Sequence, residues 1–408
     1  TVTIVAWFWA GMFAQVLREA GLVDGLVWLG QVSHAQGGVF VAVTFLLAAV
    51  FSSAVGTGYG TTVAFSTLMY PAGLVMGAEP VWLFGAILSG AAFGDNLAPV
   101  SDTTVVSATT QETDIPGVVR SRFKYALTAA IPALLLFALL GSGGVADPDR
   151  ASSVFAESAS PRGLIMLIPF GLVIFLALRR HAILVTLTWG IVVAAILGLL
   201  SGQLTPQQLI FFDRQNGSVN GALVDGITGY LSMGILILLI VAGGHIMKVG
   251  GAMNALVERL SRFARDSVTR VECVMWSVVF SLNAFITINT AAEITAAPIV
   301  SQLGKRFRIH PYRRANILDA VTSALGYIFP WGGGVLIGYQ TIRNLTETYD
   351  FVKVVSPTEV WPFVLHGWFL AVVMLLAAIT GFGRTFEAAD GSETKTDPAD
   401  GANSRVSR

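Results

Sequence analysis

The sequence is poor in cysteine and in charge. Its 408 residues include one cysteine, Cys273, so no disulfide can form within the chain. Charged residues make up 12% of the chain, against about 25% in soluble domains, and the formal net charge is zero. Because nucleic-acid binding depends on excess positive charge, we expect no nucleic-acid partner.

Sequence patterns of pumps and hydrolases are also missing. The chain contains no Walker A sequence, which argues against an ATP-driven pump. It shows no Ser/His/Asp arrangement and no metal-hydrolase arrangement. We therefore expect neither an enzyme nor a bound cofactor.

Apolar residues are abundant instead, at 54%, with a mean hydropathy of +0.70. Several runs approach the roughly 20 residues that cross a bilayer, and they do not alternate as strands would. The sequence therefore predicts an all-α polytopic membrane protein, with the lipid bilayer as its environment. The predicted spans are 40–55, 125–141, 163–178, 183–200, 227–246, 271–288 and 364–382.

Weak internal similarity predicts two repeats. Phe51 matches Phe280, Pro71 matches Pro298 and Asp95 matches Asp319, in order and at nearly constant separation. Lys and Arg mark cytoplasmic loops, and their bias reverses between the halves, which is typical of inverted-topology repeats with discontinuous or re-entrant helices. The richest loop, 304–315, holds five basic residues, whereas its counterpart 77–88 holds none.

This pattern divides the chain into four parts. We expect a first transmembrane repeat that is incomplete at its N-terminus, an extracytoplasmic loop, a second, inverted repeat and a disordered cytoplasmic tail. The respective ranges are 1–145, 146–161, 162–385 and 386–408. Loops 109–124 and 304–315 and the tail are predicted inside, and 77–88, 202–226 and 344–360 outside.

The most polar stretch within the apolar regions runs from Ser89 to Thr104. It contains Asp95 and Asp102, with Pro99 between them to break the helix. Ionisable groups and broken backbone persist in a bilayer only where protein or a wet cavity surrounds them. Carboxylate and hydroxyl oxygens are ligands that hard cations prefer. The alternative for either acid is a helix cap at the membrane interface.

The second half repeats this chemistry. Asp319 opens a segment with two hydroxyls, a proline and three glycines, and a second broken segment turns near Asn289 and Thr290. We predict ion or proton binding by Asp95, Ser101, Asp102, Thr103, Asn289, Thr290 and Asp319, with the three aspartates as Na⁺ ligands. Secondary candidates are Thr57, Asn96, Asn283, Glu293, Thr322 and Ser323. For Glu293, an interfacial position near the turn remains the alternative.

The stretch Gly-Asp95-Asn-Leu-Ala-Pro99-Val-Ser101-Asp102-Thr103-Thr resembles the signature motif of NhaC-type Na⁺/H⁺ antiporters. The resemblance extends over roughly residues 10 to 385 and implies a multi-pass inner-membrane antiporter with Asp95, Ser101, Asp102 and Thr103 in its site. Three positions depart from the family pattern. Asn96 replaces a lysine, Leu318 precedes Asp319 where an acidic pair is usual, and Gly332 follows Trp331 where asparagine is usual.

The leading hypothesis is a secondary transporter that exchanges cytoplasmic Na⁺ or Li⁺ for protons at buried carboxylates, by alternating access. The alternative is a Na⁺- or H⁺-coupled transporter of a small organic anion, such as malate or lactate, or of an amino acid. Such a carrier needs a cationic group near the midplane, and we find no Lys or Arg deep in a predicted span. A homodimer is possible in either case.

Overall fold

The structure is a computed structural model. It describes residues 2–143, 160–213, 218–228, 267–388 and 390–395, apart from short breaks at residues 34–35, 100, 180 and 287, together with isolated residues between 242 and 259. The tail from 396 onward and most of the predicted span 227–246 lie outside the described residues.

The described chain is built of helices, which confirms the predicted fold class. The first set comprises α1 (Val2–Glu19), α2 (Leu22–Ser33), α3 (Gly37–Val55), α4 (Gly58–Val75), α5 (Pro80–Leu97), α6 (Asp102–Thr110) and α7 (Ile115–Leu140). A 3₁₀ turn at Pro161–Met166 leads to α8 (Leu167–Leu178), α9 (Ile183–Leu200), α10 (Pro206–Leu209) and α11 (Ala222–Thr228). The second set comprises α12 (Val268–Phe285), α13 (Asn289–Arg306), α14 (Pro311–Leu325), α15 (Gly333–Leu345), α16 (Pro357–Val360) and α17 (Leu365–Thr380).

Two short hairpins complete the described part. Strands β1 (Phe211–Asp213) and β2 (Ser218–Asn220) are antiparallel, as are β3 (Phe386–Glu387) and β4 (Glu393–Thr394). The second hairpin differs from the predicted disorder of 386–408. Its first strand is ordered because Ile309 pairs with Phe386 and the His310 amide donates to the Thr385 carbonyl at 3.0 Å.

Within the described part of the chain, three stretches are long and apolar enough to cross a bilayer: Pro80–Thr110, Ile115–Leu140 and Val268–Phe285. A fourth candidate is the pair Pro357–Phe363 and Leu365–Thr380, which bends by 53°. Shorter apolar helices lie at Gly37–Ser53, Pro161–Val173 and Leu184–Leu200. The described residues contain fewer full-length spans than the seven predicted, because several apolar runs are interrupted or short and most of 227–246 lies outside them.

The helix starts reveal the repeat in a different register from the residue matches. Four helices of the first set begin at Gly37, Gly58, Pro80 and Asp102, and four of the second begin at Val268, Asn289, Pro311 and Gly333. The paired residue numbers all differ by 231. At that separation Asp95 corresponds to Gly326 rather than to Asp319, so the predicted Asp95–Asp319 equivalence is wrong. Asp319 lies in the middle of α14, whereas Asp95 lies near the end of α5.

Three interruptions fall where the sequence predicted them. Gly56 ends α3 in a left-handed conformation with φ of 75°, and the Thr57 hydroxyl caps α4 by accepting from the Gly60 amide at 3.2 Å. Helix α5 ends at Leu97, just before Pro99, and α6 resumes at Asp102. Helix α12 ends at Phe285 and α13 begins at Asn289.

Helix α5 forms the centre of the first set and packs closely against α3. An added Cβ at Gly94 would lie 2.2 Å from the Cβ of Ser52, and at Gly90 it would lie 2.6 Å from the Cβ of Ala48. Small residues at these positions permit the close approach. It places the end of α5 beside the interruption between α3 and α4.

The loops predicted as cytoplasmic lie together at one end of the described bundle. Lys305 pairs with Glu112 at 2.6 Å, and Arg314 donates to the Gln111 carbonyl at 3.2 Å. At the opposite end, the Glu79 amide donates to the Gly141 carbonyl at 2.9 Å. The grouping of 109–114 with 304–314 agrees with the topology predicted from charge.

A buried ion network ties helices together near that basic end. Arg313 donates to both carboxylate oxygens of Glu272, at 2.8 and 3.0 Å, and Arg384 donates to the same carboxylate at 2.8 Å. Arg313 also donates to the Tyr125 hydroxyl at 2.6 Å. The side chains of Arg313 and Glu272 have no exposed area. The network, which we call the Glu272 clamp, joins α7, α12, α14 and the segment after α17.

Candidate ion-binding site

A small pocket forms where three helix interruptions meet. It has a volume of about 10 Å³, which is enough for about one water molecule or one ion. Its lining comes from the starts of α4, α6 and α13, the end of α5 and the turn after α14. The lining residues are Thr57, Gly58, Tyr59, Asp95, Asp102, Thr103, Asn289, Thr290 and Tyr327.

Asp95 is the most fully coordinated acid of this pocket. It is buried, and Ser101 donates to its Oδ1 at 2.8 Å. Its Oδ2 accepts from the Tyr327 hydroxyl at 3.0 Å and lies 3.5 Å from the Asn289 amide nitrogen. The Ser101 and Thr103 hydroxyls are 3.0 Å apart. The predicted residues Asp95, Ser101, Thr103 and Asn289 are thus brought together by α5, α6 and α13.

Asp102 lies on the other side of the pocket. It begins α6, is half-buried, and accepts a hydrogen bond from the Thr290 hydroxyl at the start of α13. The Tyr59 hydroxyl donates to the Asn289 side-chain carbonyl at 3.3 Å. The pocket therefore contains two carboxylates together with hydroxyl and amide groups, a set of oxygen donors that suits a hard cation.

Asp319 belongs to a second cluster. Its Oδ2 accepts from the Arg122 guanidinium, from Thr104 at 3.2 Å and from Ser107 at 3.3 Å, and its Oδ1 accepts from Ser323 at 3.0 Å. Arg122 and Asp319 have no exposed side-chain area. Arg122 lies within the candidate span Ile115–Leu140 rather than in a loop, and it provides a buried cation that the predicted spans do not contain.

Neighbouring polar groups hold Arg122 in place. It donates to the Asn96 carbonyl at 2.6 Å and to the Asn316 side-chain oxygen at 3.2 Å. The Asn96 amide donates to Ser323 at 2.9 Å, so Asn96 and Ser323 belong to this cluster rather than to the Asp95 pocket. Among the described residues no three His, Cys, Asp or Glu side chains converge as a metal site would require. The three aspartates therefore do not form one cluster.

The remaining secondary candidates are placed as follows. Asn283 donates to Thr322 at 3.2 Å, which links α12 to α14 away from the pocket, and Thr57 lines the pocket while capping α4. Glu293 is fully buried within the protein, in the second turn of α13. Neither of its carboxylate oxygens has a hydrogen-bond partner within the described part of the chain. The Glu293 carboxyl group interacts electrostatically with four charged side chains, those of Asp319, Arg122, Asp102 and Asp95.

The sequence patterns do not identify several residues of the two clusters, namely Tyr59, Ser107, Arg122, Asn316 and Tyr327. Both tyrosines neighbour glycines at helix interruptions, a position that could have marked them. Because it has basic neighbours in the sequence, Arg122 falls within the predicted loop 109–124. Asp114 caps α7 by accepting from the Gly117 amide at 2.7 Å, and Pro116 occupies its first turn. That capping pattern could have placed Arg122 two turns inside a helix.

Comparisons with known proteins identify a family of transporters. A profile described as the Na⁺/H⁺ antiporter family matches residues 1–142 and 155–368. The arginine/ornithine antiporter ArcD of Halobacterium salinarum is 25% identical over 374 residues, which cover 86% of this chain and 76% of that protein.

Two relatives come from Bacillus subtilis. The malate-2H⁺/Na⁺-lactate antiporter is 26% identical over 278 residues, covering 65% of this chain and 59% of that protein. The Na⁺/H⁺ antiporter NhaC is 26% identical over 248 residues, covering 56% of this chain and 54% of that protein. Among solved structures, Neisseria gonorrhoeae MtrF, from a class of antimetabolite efflux pumps, aligns with a TM-score of 0.44 and 10% identity, covering 92% of this chain and 80% of that chain.

Proposed function

Because the chain belongs to the Na⁺/H⁺ antiporter family and is an integral membrane protein, we propose that it exchanges cytoplasmic Na⁺ or Li⁺ for protons across the inner cell membrane by alternating access. The observation that carries the proposal is the Asp95 pocket, where Asp95 and Asp102 line a space of about 10 Å³. That space matches a single dehydrated ion and is far below the volume of an organic solute.

In the proposed site the cation binds oxygen atoms from three helices, α5, α6 with its capping residue Ser101, and α13. The carboxylates of Asp95 and Asp102 supply charge, and the hydroxyls of Ser101, Thr103 and Thr290 supply neutral ligands. The interruptions after α3, α5 and α12 also free backbone carbonyls and amides, as in transporters with discontinuous helices. The hydroxyls that bond to the acids in the structure turn to the ion when it arrives.

Exchange follows from the crowding of negative charge. Two carboxylates that share a small pocket repel each other, so one positive charge, a proton or a metal ion, stabilises the pair. Because both compete for the same oxygens, binding of one releases the other. This competition couples the movement of one ion to that of the other, so antiport needs no further energy source such as ATP.

Asp319 takes a different role in this proposal. The Arg122 guanidinium neutralises Asp319, and both carboxylate oxygens of Asp319 accept hydrogen bonds. We therefore assign Asp319 to the ion pair and propose that Asp95 and Asp102 bind Na⁺. Glu293 is proposed as a proton-holding group. A carboxylate buried without partners avoids its large desolvation cost by remaining protonated.

The test is transport by the full chain in proteoliposomes with an imposed pH gradient. Addition of Na⁺ or Li⁺ should dissipate the gradient, whereas K⁺ should not. Asp95→Asn should abolish this response while the protein still folds, as judged by size-exclusion profile and thermal midpoint. Asp350→Asn, an exposed aspartate outside the pocket, is the matched control and should retain full exchange. A gradient that is unaffected by Na⁺ or Li⁺ contradicts the proposal.

A second candidate is coupled transport of an organic anion or amino acid. One observation in its favour is Arg122, a buried cation of the kind that such a carrier needs and that the predicted spans do not contain. Relatives named for arginine/ornithine and malate/lactate antiport also favour it. Arg122 is committed to Asp319, however, and lies outside the lining of the Asp95 pocket. The same vesicles tested with malate, lactate, arginine and ornithine separate the two. Dissipation of the gradient by one of these solutes alone selects the second candidate.

A further inference from the structure

A second and much larger cavity lies between α1, α4, α11 and α15. It has a volume of about 580 Å³. Val63, Leu336 and Ile337 contribute apolar wall, and Gln15, Thr67, Gln340 and Asn344 contribute polar groups. Among the described residues that line it, Arg18 and Asp225 are the charged ones.

The volume of the cavity indicates the size of the ligand that it can bind. Pockets that bind organic ligands have volumes of about 300–1,000 Å³. A bare cation would leave most of 580 Å³ to water, and a separate pocket of ionic size exists at Asp95. The dimensions therefore fit a solute of several non-hydrogen atoms.

The charged side chains that line the cavity indicate which charged groups the ligand carries. Arg18 donates to Glu19 at 2.9 Å, but Glu19 is not part of the lining, and a guanidinium has five N–H donors, so donors remain for a second carboxylate. Asp225 can accept from an ammonium group. The Oε1 of Gln15 is buried without a hydrogen-bond partner among the described residues, which provides an acceptor for a further N–H group.

We propose that this cavity binds a zwitterionic solute of amino-acid size, with its carboxylate at Arg18 and its ammonium at Asp225. With Arg18 and Asp225 as the charged groups of the described lining, a dianion and a dication are disfavoured, since either would place a like charge next to one of them. The amides of Gln15, Gln340 and Asn344 complete the polar surroundings.

The cavity approaches the ion pocket along α4. Val63 lines the cavity one helical turn after Tyr59, which lines the Asp95 pocket. The two binding spaces therefore share a helix while using different side chains. The solute site does not depend on the proposed Na⁺/H⁺ exchange.

The experiment is equilibrium binding of radiolabelled L-leucine and L-glutamine to the purified full-length chain in lipid nanodiscs, with malate and putrescine as competitors. At least one of the two amino acids should bind, and neither competitor should displace it. Arg18→Gln and Asp225→Asn should each weaken binding by about tenfold or more, since each removes a charged hydrogen-bonding partner. Arg162→Gln and Asp350→Asn, exposed residues outside the cavity, should leave binding unchanged.

Several results would overturn the proposal. They are binding of neither amino acid, displacement by malate or putrescine, and undiminished binding by the Arg18 or Asp225 variant. Na⁺/H⁺ exchange measured in the same variants without solute should be unchanged. Asp95→Asn should lose exchange but keep solute binding, because Asp95 does not line the cavity. Failure of the solute site and failure of the exchange proposal are thus distinguishable.

Discussion

Arg122 of α7 and Asp319 of α14 form an ion pair from which solvent is fully excluded. Their contact joins the two halves of the chain near the Asp95 pocket, and hydroxyls of Thr104 and Ser107 from α6 complete the bonds of the carboxylate. Buried pairs of this kind are costly to break, because the partner that remains is an uncompensated charge. Removing the whole pair is far less costly.

Arg122→Gln should therefore destabilise the protein by about 3–5 kcal/mol, seen as a lower thermal midpoint in detergent. The double variant Arg122→Gln/Asp319→Asn should recover much of that loss, since no bare charge remains. Lys305→Gln, which removes an exposed partner of Glu112, serves as the control and should leave the midpoint unchanged. A double variant that is no more stable than Arg122→Gln would show that charge pairing is not the cause.

Glu293→Gln should leave the thermal midpoint unchanged or raise it. The substitution keeps the shape of the side chain and removes an acid whose oxygens have no hydrogen-bond partner in the described structure. If Glu293 holds a proton during exchange, the pH profile of Na⁺-driven gradient dissipation should become flatter. Glu359→Gln, at an exposed helix cap, should leave the profile as it is. An identical profile for Glu293→Gln would remove Glu293 from the proton path.

Gly58→Ala should abolish exchange by displacing Tyr327. A Cβ at position 58 would lie 1.8 Å from the Tyr327 hydroxyl oxygen, which donates to Asp95. The tyrosine must then move out of the pocket, taking one of the donors that orient Asp95. Gly171→Ala in α8 meets nothing within 4 Å and should retain normal exchange. Normal exchange by Gly58→Ala would mean that the contact between α4 and Tyr327 is dispensable.

His310→Asn should reduce the acid sensitivity of the fold. His310 caps α14, where its imidazole nitrogen accepts from the Tyr312 amide, and burial lowers the pKa of His310 below its ordinary value of 6.5. The unfolded chain thus takes up this proton more readily than the folded one, so stability present above about pH 6.5 is lost as the pH falls. Asparagine keeps a cap acceptor but does not titrate.

Thermal midpoints between about pH 8 and pH 5 test this expectation. The wild-type midpoint should fall more steeply below pH 6.5 than that of His310→Asn. His181→Asn, which changes an exposed histidine, should follow the wild type. Parallel curves for wild type and His310→Asn would exclude the imidazole as a source of acid sensitivity.

The sequence was a good guide to chemistry that depends on neighbours along the chain. Pro99 and the glycines around Thr57 mark helix interruptions because their backbone effects are local. The segment from Asp95 to Thr103 brings an acid and two hydroxyls together for the same reason. These predictions did not require knowledge of the packing.

Contacts between distant segments were harder to predict. Arg122 was placed in a basic cytoplasmic loop, although its partner lies 197 positions away in the chain. Asp319 was equated with Asp95 through similar neighbours, yet a shift of seven residues relative to the common helix starts separates the two and places Asp319 beside Arg122. Residue type indicates that a buried acid needs a compensating positive charge, but only the packing shows that Arg122 supplies this charge to Asp319.

The Glu272 clamp limits the movements available to the protein. Separating α12 from α14 would leave Glu272 or Arg313 as an unpaired buried charge, so we expect the two helices to move together. In the proposed transport cycle, bending is then expected at the ends of α3, α5 and α12, where the helices are interrupted. Residues at these interruptions also line the pocket, so a conformational change there would alter the proposed cation site directly.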